Sequence, residues 1–314
     1  MRLEQYNAAS HKEGIEELAK GFSDYLGKYT EAEGQVYWKE TTSAVSSPMT
    51  LSEGNGARLL SFVSNDCLGL SQHPAVKSEA AKAINRYGAG FCAAPGIGGY
   101  SSLQKQLEDG LSQFMNTEDS LVFDSDLAAK VGVLSALAKK EDIVFVDGAI
   151  PRGAFEGVRH CACKTLAHND VEALDTALAK YKADGRNLFV VMDGIYSQDG
   201  DFGLVGPYLR TAEKHGAMLI VDDAHGIGVL GETGAGLLEE KGLLGKVPLV
   251  VGSLSKAFGA IGGFVSGRKE LISHIRYHAA SCCLSASLPP SCLAASLKSL
   301  ELIQAYPSGS PDCV

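Results

Sequence analysis

Seven short apolar runs constrain this chain more than any other feature: LLSFVSND (59–66), SLVFD (120–124), DIVFVDG (142–148), NLFVVMDG (187–194), AMLIVDDAHG (217–226), PLVVGS (248–253) and GGFVSG (262–267). Most contain several consecutive apolar residues and so have no polar face, which predicts strands buried on both sides, as in parallel sheets. Amphipathic segments lie between them, including SLQKQLEDGLSQFM (102–115), DVEALDTALAKYKA (170–183) and GPYLRTAEKHG (206–216). Another, IEELAKGFSDYL (15–26), precedes them all. This alternation predicts an α/β fold, a mostly parallel sheet covered by helices on both faces. The rhythm stops near residue 271, and YPSGSPDCV (306–314) reads as a loose tail. Three segments are expected: a helical and extended stretch over 1–57, a large domain over 58–270, and the start of a C-terminal domain over 271–314.

At 314 residues with 45% hydrophobic and 21% charged content, the chain has ample material for a core, which excludes whole-chain disorder and coiled coil. A net charge of −9 argues against an electrostatic nucleic-acid surface. No apolar run approaches the length needed to cross a bilayer, and MRLEQYNAASHKEGIEE (1–17) lacks the apolar stretch of a signal peptide. Cysteines at 67, 92, 161, 163, 282, 283, 292 and 313 are scattered and expected to be free thiols, which suits the cytoplasm.

Ligands of open α/β sheets sit at the carboxyl ends of strands, so the polar residues there are the candidates. Asp222 and Asp223 end one strand, followed by His225. A carboxylate there holds a protonated ring nitrogen or a metal, or simply caps the next turn. Gly226-Ile-Gly228-Val-Leu-Gly231 imitates a dinucleotide fingerprint. It does not open a helix directly from the strand, as that fingerprint requires, so a nicotinamide enzyme is not expected. Lys256 follows another strand among Ser253, Ser255, Gly259, Gly262 and Gly263. It reads as a nucleophilic amine, as part of a phosphate-approaching loop, or as an ordinary surface lysine. The turn LVFDSDLAAKVG (121–132) is a natural phosphate cradle burdened by Asp124 and Asp126, and Ser197 is a hydroxyl donor in MDGIYSQDGD (192–201).

Taken together, SNDCLGLSQHP (64–74), YGAG (87–90), HND (168–170), DGIYSQDGD (193–201), VDDAHGIGVLGETGAG (221–236), GSLSKAFGAIGGF (252–264) and SASLPP (285–290) resemble the α-oxoamine synthases, pyridoxal-phosphate enzymes of the fold-type I aminotransferase group. FCAAPGIGGYSSLQKQLE (91–108), with Cys92, is similar to the long-chain-base subunit 1 of serine palmitoyltransferase, as are KKEDIVFVDGA (139–149) and LSASLPP (284–290). The resemblance implies a fold-type I large domain over 58–270 that binds the cofactor. It makes Lys256 the Schiff-base lysine, which holds the cofactor as an internal aldimine and moves the substrate α-proton. Asp222 pairs with the pyridine nitrogen, and His225 lies near the ring oxygen or the acyl thioester. Ser197 is a donor to the cofactor; Ser253, Ser125, Asp126 and Leu127 lie at its phosphate, with Ser285 reaching it from a partner chain. Asn65 contacts substrate.

The chain departs from the family pattern at two places: Pro151 stands where the family stacks a histidine on the ring, and Asp126 replaces the glycine of the phosphate turn. The C-terminal small domain, with its carboxylate-binding arginine, is expected to be largely missing. The expected function is serine palmitoyltransferase, the decarboxylative condensation of L-serine with palmitoyl-CoA to 3-ketosphinganine. The alternatives are 8-amino-7-oxononanoate synthase, 2-amino-3-ketobutyrate CoA ligase, or a non-catalytic scaffold subunit. The expected assembly is a homodimer, or a heterodimer with a homologous catalytic subunit that tethers it to the endoplasmic reticulum membrane.

Overall fold

The computed structural model describes residues 14–34, 36–46, 48–52, 55–150, 160–182 and 185–305, and its packing defines two units, Met1–Ser64 and Asn65–Val314. In the first, α1 (Ile15–Glu33) contains the expected amphipathic segment and ends at Gly34, whose φ of 76° suits a residue without Cβ. A small antiparallel ribbon follows, β1 (Met49–Thr50) with β2 (Arg58–Leu59). The strand expected over 59–66 is therefore wrong beyond its first residue. An apolar run becomes a strand only where a neighbour accepts its backbone amides, and Phe62 and Val63 lie 90% and 75% exposed in irregular chain.

The second unit begins with α2 (Pro74–Tyr87) and α3 (Ser102–Phe114), then β3 (Asp119–Phe123), α4 (Asp126–Leu137), β4 (Ile143–Asp147) and β5 (Ala162–Leu166). It continues with α5 (Val171–Tyr181), β6 (Leu188–Asp193), α6 (Val205–His215), β7 (Met218–Asp222), α7 (Leu237–Glu240), β8 (Leu249–Ser253) and β9 (Gly263–Gly267). Three helices close it: α8 (Lys269–His278), α9 (Ala280–Cys283) and α10 (Pro290–Ala305). β3 to β9 form one seven-stranded sheet in the order β3-β9-β8-β7-β6-β4-β5. Pairing is parallel from β8 across to β5, whereas β9 runs antiparallel to both its neighbours, β3 and β8. The sheet is thus mixed, with the mostly parallel pairing the sequence predicts.

Alternation along each strand sends neighbouring side chains to opposite faces. Val122, Val190, Met192, Val221, Val250 and Phe264 pack with α3, α5, α6 and α10 through Leu107, Leu174, Leu209 and Leu300. Leu121, Phe123, Val191, Ile220, Val251 and Val265 pack on the other face with α4 and α8 through Val133, Leu134, Ile272 and Ile275. Each such aliphatic side chain stabilises the fold by about 1.5–3 kcal/mol on leaving water. The parity has a direct consequence for function. Asp193 and Asp222, in register with each other at the ends of β6 and β7, share the α4 face with Val191 and Ile220.

Candidate functional site

At the carboxyl ends of β6, β7 and β8 a cavity of about 310 Å³ is lined by Asp126, Leu127, Lys130, Ile150, Asp193, Ile195, Ser197, Asp222, His225 and Lys256. The fold therefore brings together six residues expected from the sequence: Lys256, Asp222, His225, Ser197, Asp126 and Leu127. Four others do not line it. Ser125 caps α4, accepting the Ala128 amide at 3.1 Å. Ser253 is buried at the end of β8, and its Oγ accepts the Ser255 amide at 3.2 Å. Ser285 donates to the carboxylate of Asp124 in its own chain. Asn65 lies in irregular chain at the start of the second unit. Pro151 falls outside the described residues. A larger hollow of about 460 Å³ lies between α5 and α6, shares no lining residue with this cavity, and carries the exposed Lys214–Asp175 ion pair.

The two acids after β7 have separate tasks. Asp223 is fully buried and accepts the amide of Leu237 at 2.7 Å, so it fastens the glycine-rich loop that follows. Gly226, Gly194 and Gly236 all crowd its carboxylate, where a Cβ would collide. The apparent dinucleotide fingerprint is thus a loop folded around Asp223. Asp222 faces the cavity instead, with Oδ1 accepting the Ala224 amide at 3.0 Å. Its Oδ2 lies 2.5 Å from Lys130 Nζ.

Lys130 and Asp193 escaped the sequence reading. Lys130 stands one turn beyond Asp126 on α4 and pairs with it at 3.2 Å, a spacing that in retrospect signals an i,i+4 ion pair. Asp193 ends a continuous apolar run as Asp222 does, a parallel that register makes visible only once β6 and β7 are adjacent. Burial, then the charge of Asp222, pushes the Asp193 carboxyl up to about 8. Burial and the Asp222 charge also raise Asp126, whose buried Oδ1 has no hydrogen-bond partner among the described residues. Burial disfavours charge on Lys130 as well, but Asp222 and Asp126 outweigh it and hold the ammonium firmly protonated.

Lys256 is half-buried and makes no ion pair among the described residues. Burial lowers its pKa, so more of its amine is free to attack a carbonyl. Burial and the Lys256 charge likewise lower His225, which favours neutral imidazole. A poised amine, a carboxylate and a neutral imidazole thus surround one cavity.

The sequence matches the aminotransferase class I and II family over residues 57–308. This chain belongs to that family. Among its relatives are the 8-amino-7-oxononanoate synthases of Geotalea daltonii, 37% identical over 79% of this chain and 64% of the relative, and of Thermoanaerobacter pseudethanolicus, 33% identical over 93% and 71%. The chain thus spans between 64% and 71% of the length of these two enzymes. A Sphingomonas wittichii serine palmitoyltransferase structure superposes with a TM-score of 0.86 at 27% identity, over 93% of this chain and 73% of that one. These are α-oxoamine synthases, and pyridoxal phosphate is the cofactor of the family. The residues present fit it. Lys256 supplies an amine for its aldehyde, Asp222 a carboxylate for its ring nitrogen, and the cavity holds a ring-sized group. The N-terminus of α4 opens on the same space, although Asp126 brings negative charge there.

Proposed function

We propose that this chain catalyses the decarboxylative condensation of an α-amino acid with an acyl thioester, and that its products are of the 8-amino-7-oxononanoate type. The observation that carries the reaction class is the convergence of Lys256, Asp222 and His225 on one cavity. Relatives at 33–37% identity along most of the chain support the product type. That product carries a CH3–CH(NH2)–CO unit, the fragment left when alanine loses its carboxyl and takes up an acyl group, here a seven-carbon dicarboxylic one.

The cofactor, when bound, draws electrons from the substrate Cα and so makes its proton and carboxyl labile. Lys256 holds the cofactor through Nζ and, once freed by the incoming amino acid, moves the Cα proton. Asp222 orients the ring and supplies its counter-charge. His225, neutral and half-buried, donates a hydrogen bond to the developing oxyanion of the thioester carbonyl. Ser197 and Ile195 complete the cavity lining.

Serine palmitoyltransferase is the second reading, supported by the 0.86 superposition and by the segment around Cys92. That residue holds a left-handed φ of 54° in exposed irregular chain. A dimeric assembly is part of both readings. Product analysis decides between them: incubation with alanine and pimeloyl thioester, or with serine and palmitoyl-CoA, followed by mass spectrometry. Amino-oxononanoate from the first pair is expected, and 3-ketosphinganine alone would transfer the proposal to the second. Lys256→Ala is expected to abolish product from either pair and the visible absorbance band of the bound cofactor.

A further inference from the structure

A further pocket, which shares no lining residue with the cofactor cavity, sits where α3, the end of β3 and the segment joining α9 to α10 meet. It measures about 10 Å³, room for one particle no larger than a water molecule. Gln104 of α3, Asp124 and Ser287 line it with oxygen. Gln104 is 2% exposed, and its Nε2 donates to Glu108 at 3.1 Å. Reversing the amide would set two acceptors against each other, so the carbonyl oxygen is the atom turned away from Glu108. That oxygen and the Oγ of Ser287 are both buried without a hydrogen-bond partner among the described residues. Burial of such atoms costs free energy unless each meets a ligand.

The charges around the pocket decide what that ligand is. Asp124 accepts the hydroxyls of Ser125 and Ser285 and forms no ion pair among the described residues. Arg276 is committed to Glu108 at 3.0 Å and to Asp119 at 3.6 Å. Ser281, also in the lining, spends its proton on the Ala128 carbonyl at 2.8 Å. The Cys282 thiol, pushed up to about 12 chiefly by burial, is neutral. The pocket thus presents oxygen lone pairs and one uncompensated negative charge. We propose that it binds a single dehydrated alkali cation, sodium in preference to potassium, held by Gln104 Oε1, the Asp124 carboxylate and Ser287 Oγ. Divalent ions fit poorly: magnesium keeps several of its waters, and calcium takes about six to eight oxygens. Potassium is the larger alkali ion, and the space has none to spare. The bound ion would fasten the segment before α10 to α3 and to the end of β3. Nothing in this depends on the cofactor.

Thermal unfolding of the full chain tests this, with choline chloride exchanged for sodium chloride at constant ionic strength. Tm is expected to rise by about 2–4 °C along a saturating curve, and potassium chloride should give a smaller rise. The sodium NMR line should broaden when protein is added and sharpen again as sodium is brought into excess. Asp124→Asn keeps the size of the side chain and an acceptor for Ser285 while removing the charge, and it should abolish both signals. Ser287→Ala should raise the half-saturating sodium concentration severalfold, and it decides the matter if Asp124→Asn does not fold by circular dichroism. Equal Tm in sodium and choline overturns the site and leaves the pocket to a water molecule. A sodium effect that persists unchanged in folded Asp124→Asn, or in Ser287→Ala where that variant must decide, also overturns it.

Discussion

Asp193 shows how one buried side chain writes its environment into the pH dependence of the protein. Its carboxyl is held up to about 8 by burial and by Asp222, whereas in the unfolded chain it ionises near 3.9. Between those values the folded state binds the extra proton. Stability therefore falls as pH rises through that window, with a slope approaching about 1.4 kcal/mol per pH unit. Asp193→Asn cannot ionise and should flatten this decline. Thermal unfolding of the chain without added cofactor at pH 5 and pH 8 is expected to show a smaller loss of Tm in the variant. An equal loss in both would remove Asp193 as the source. The sequence marked Asp222 and Lys256 because each ends an apolar run in a distinctive motif. Asp193 and Lys130 carried no such mark, since what distinguishes them is the neighbour that topology supplies.

Among the elements, the loop after β6 is tied to the end of β4 through the imidazole of His168, beside Asn169, which bonds Phe202 and Leu204. His168 Nδ1 lies 2.7 Å from Asp147 at the end of β4, and Nε2 lies 2.7 Å from Asp201 in that loop. Its ring meets Tyr196 edge-on at 4.3 Å. Burial is the largest single influence and opposes its charge, but Asp201 and Asp147 together outweigh it and raise its pKa. The clamp is thus fully present below about pH 6.5 and weakens as pH rises through the higher folded value. Hydrogen-exchange protection of the Tyr196 and Gly200 amides, corrected for intrinsic rate, should decline across that range. His168→Ala should lower it severalfold at pH 6 and remove the pH dependence; unchanged protection would show that the loop holds without the clamp. At this scale the sequence was informative wherever strands lie in the sheet interior, because β4, β6, β7 and β8 must be apolar throughout. β5 escaped because it is an edge strand whose residues are mostly exposed, and the 59–66 run misled because apolarity alone does not provide a pairing partner.

Across the whole molecule, distant parts of the sequence meet at Glu108. This carboxylate is 2% exposed and accepts bonds from Tyr100 at 2.8 Å, Val122 N at 3.1 Å and Arg276 at 3.0 Å. Arg276 also donates to the Ser120 carbonyl at 3.1 Å. The network thereby joins α3, β3 and α8. Arg276→Met would strand a buried charge and is expected to cost about 3–5 kcal/mol, with Glu108→Gln in the same chain recovering part of it. Urea unfolding of the single and double variants measures this, and additive losses would mean that the two residues are not coupled.

The antiparallel placement of β9 also fixes the order in which the protein can be completed during synthesis. β3 has one neighbour in the sheet, and its Leu121 waits for Val265. α4 follows β3 directly and rests on β8, β9, α8 and α9, all made later. At ribosomal speed the delay is on the order of ten seconds. Throughout it, β3 and the apolar side of α4 are exposed on the nascent chain, where chaperones would find them. The wall that carries Asp126 and Lys130 is therefore the last to close, and the cofactor meets a finished site only when nearly all of the second unit has been made.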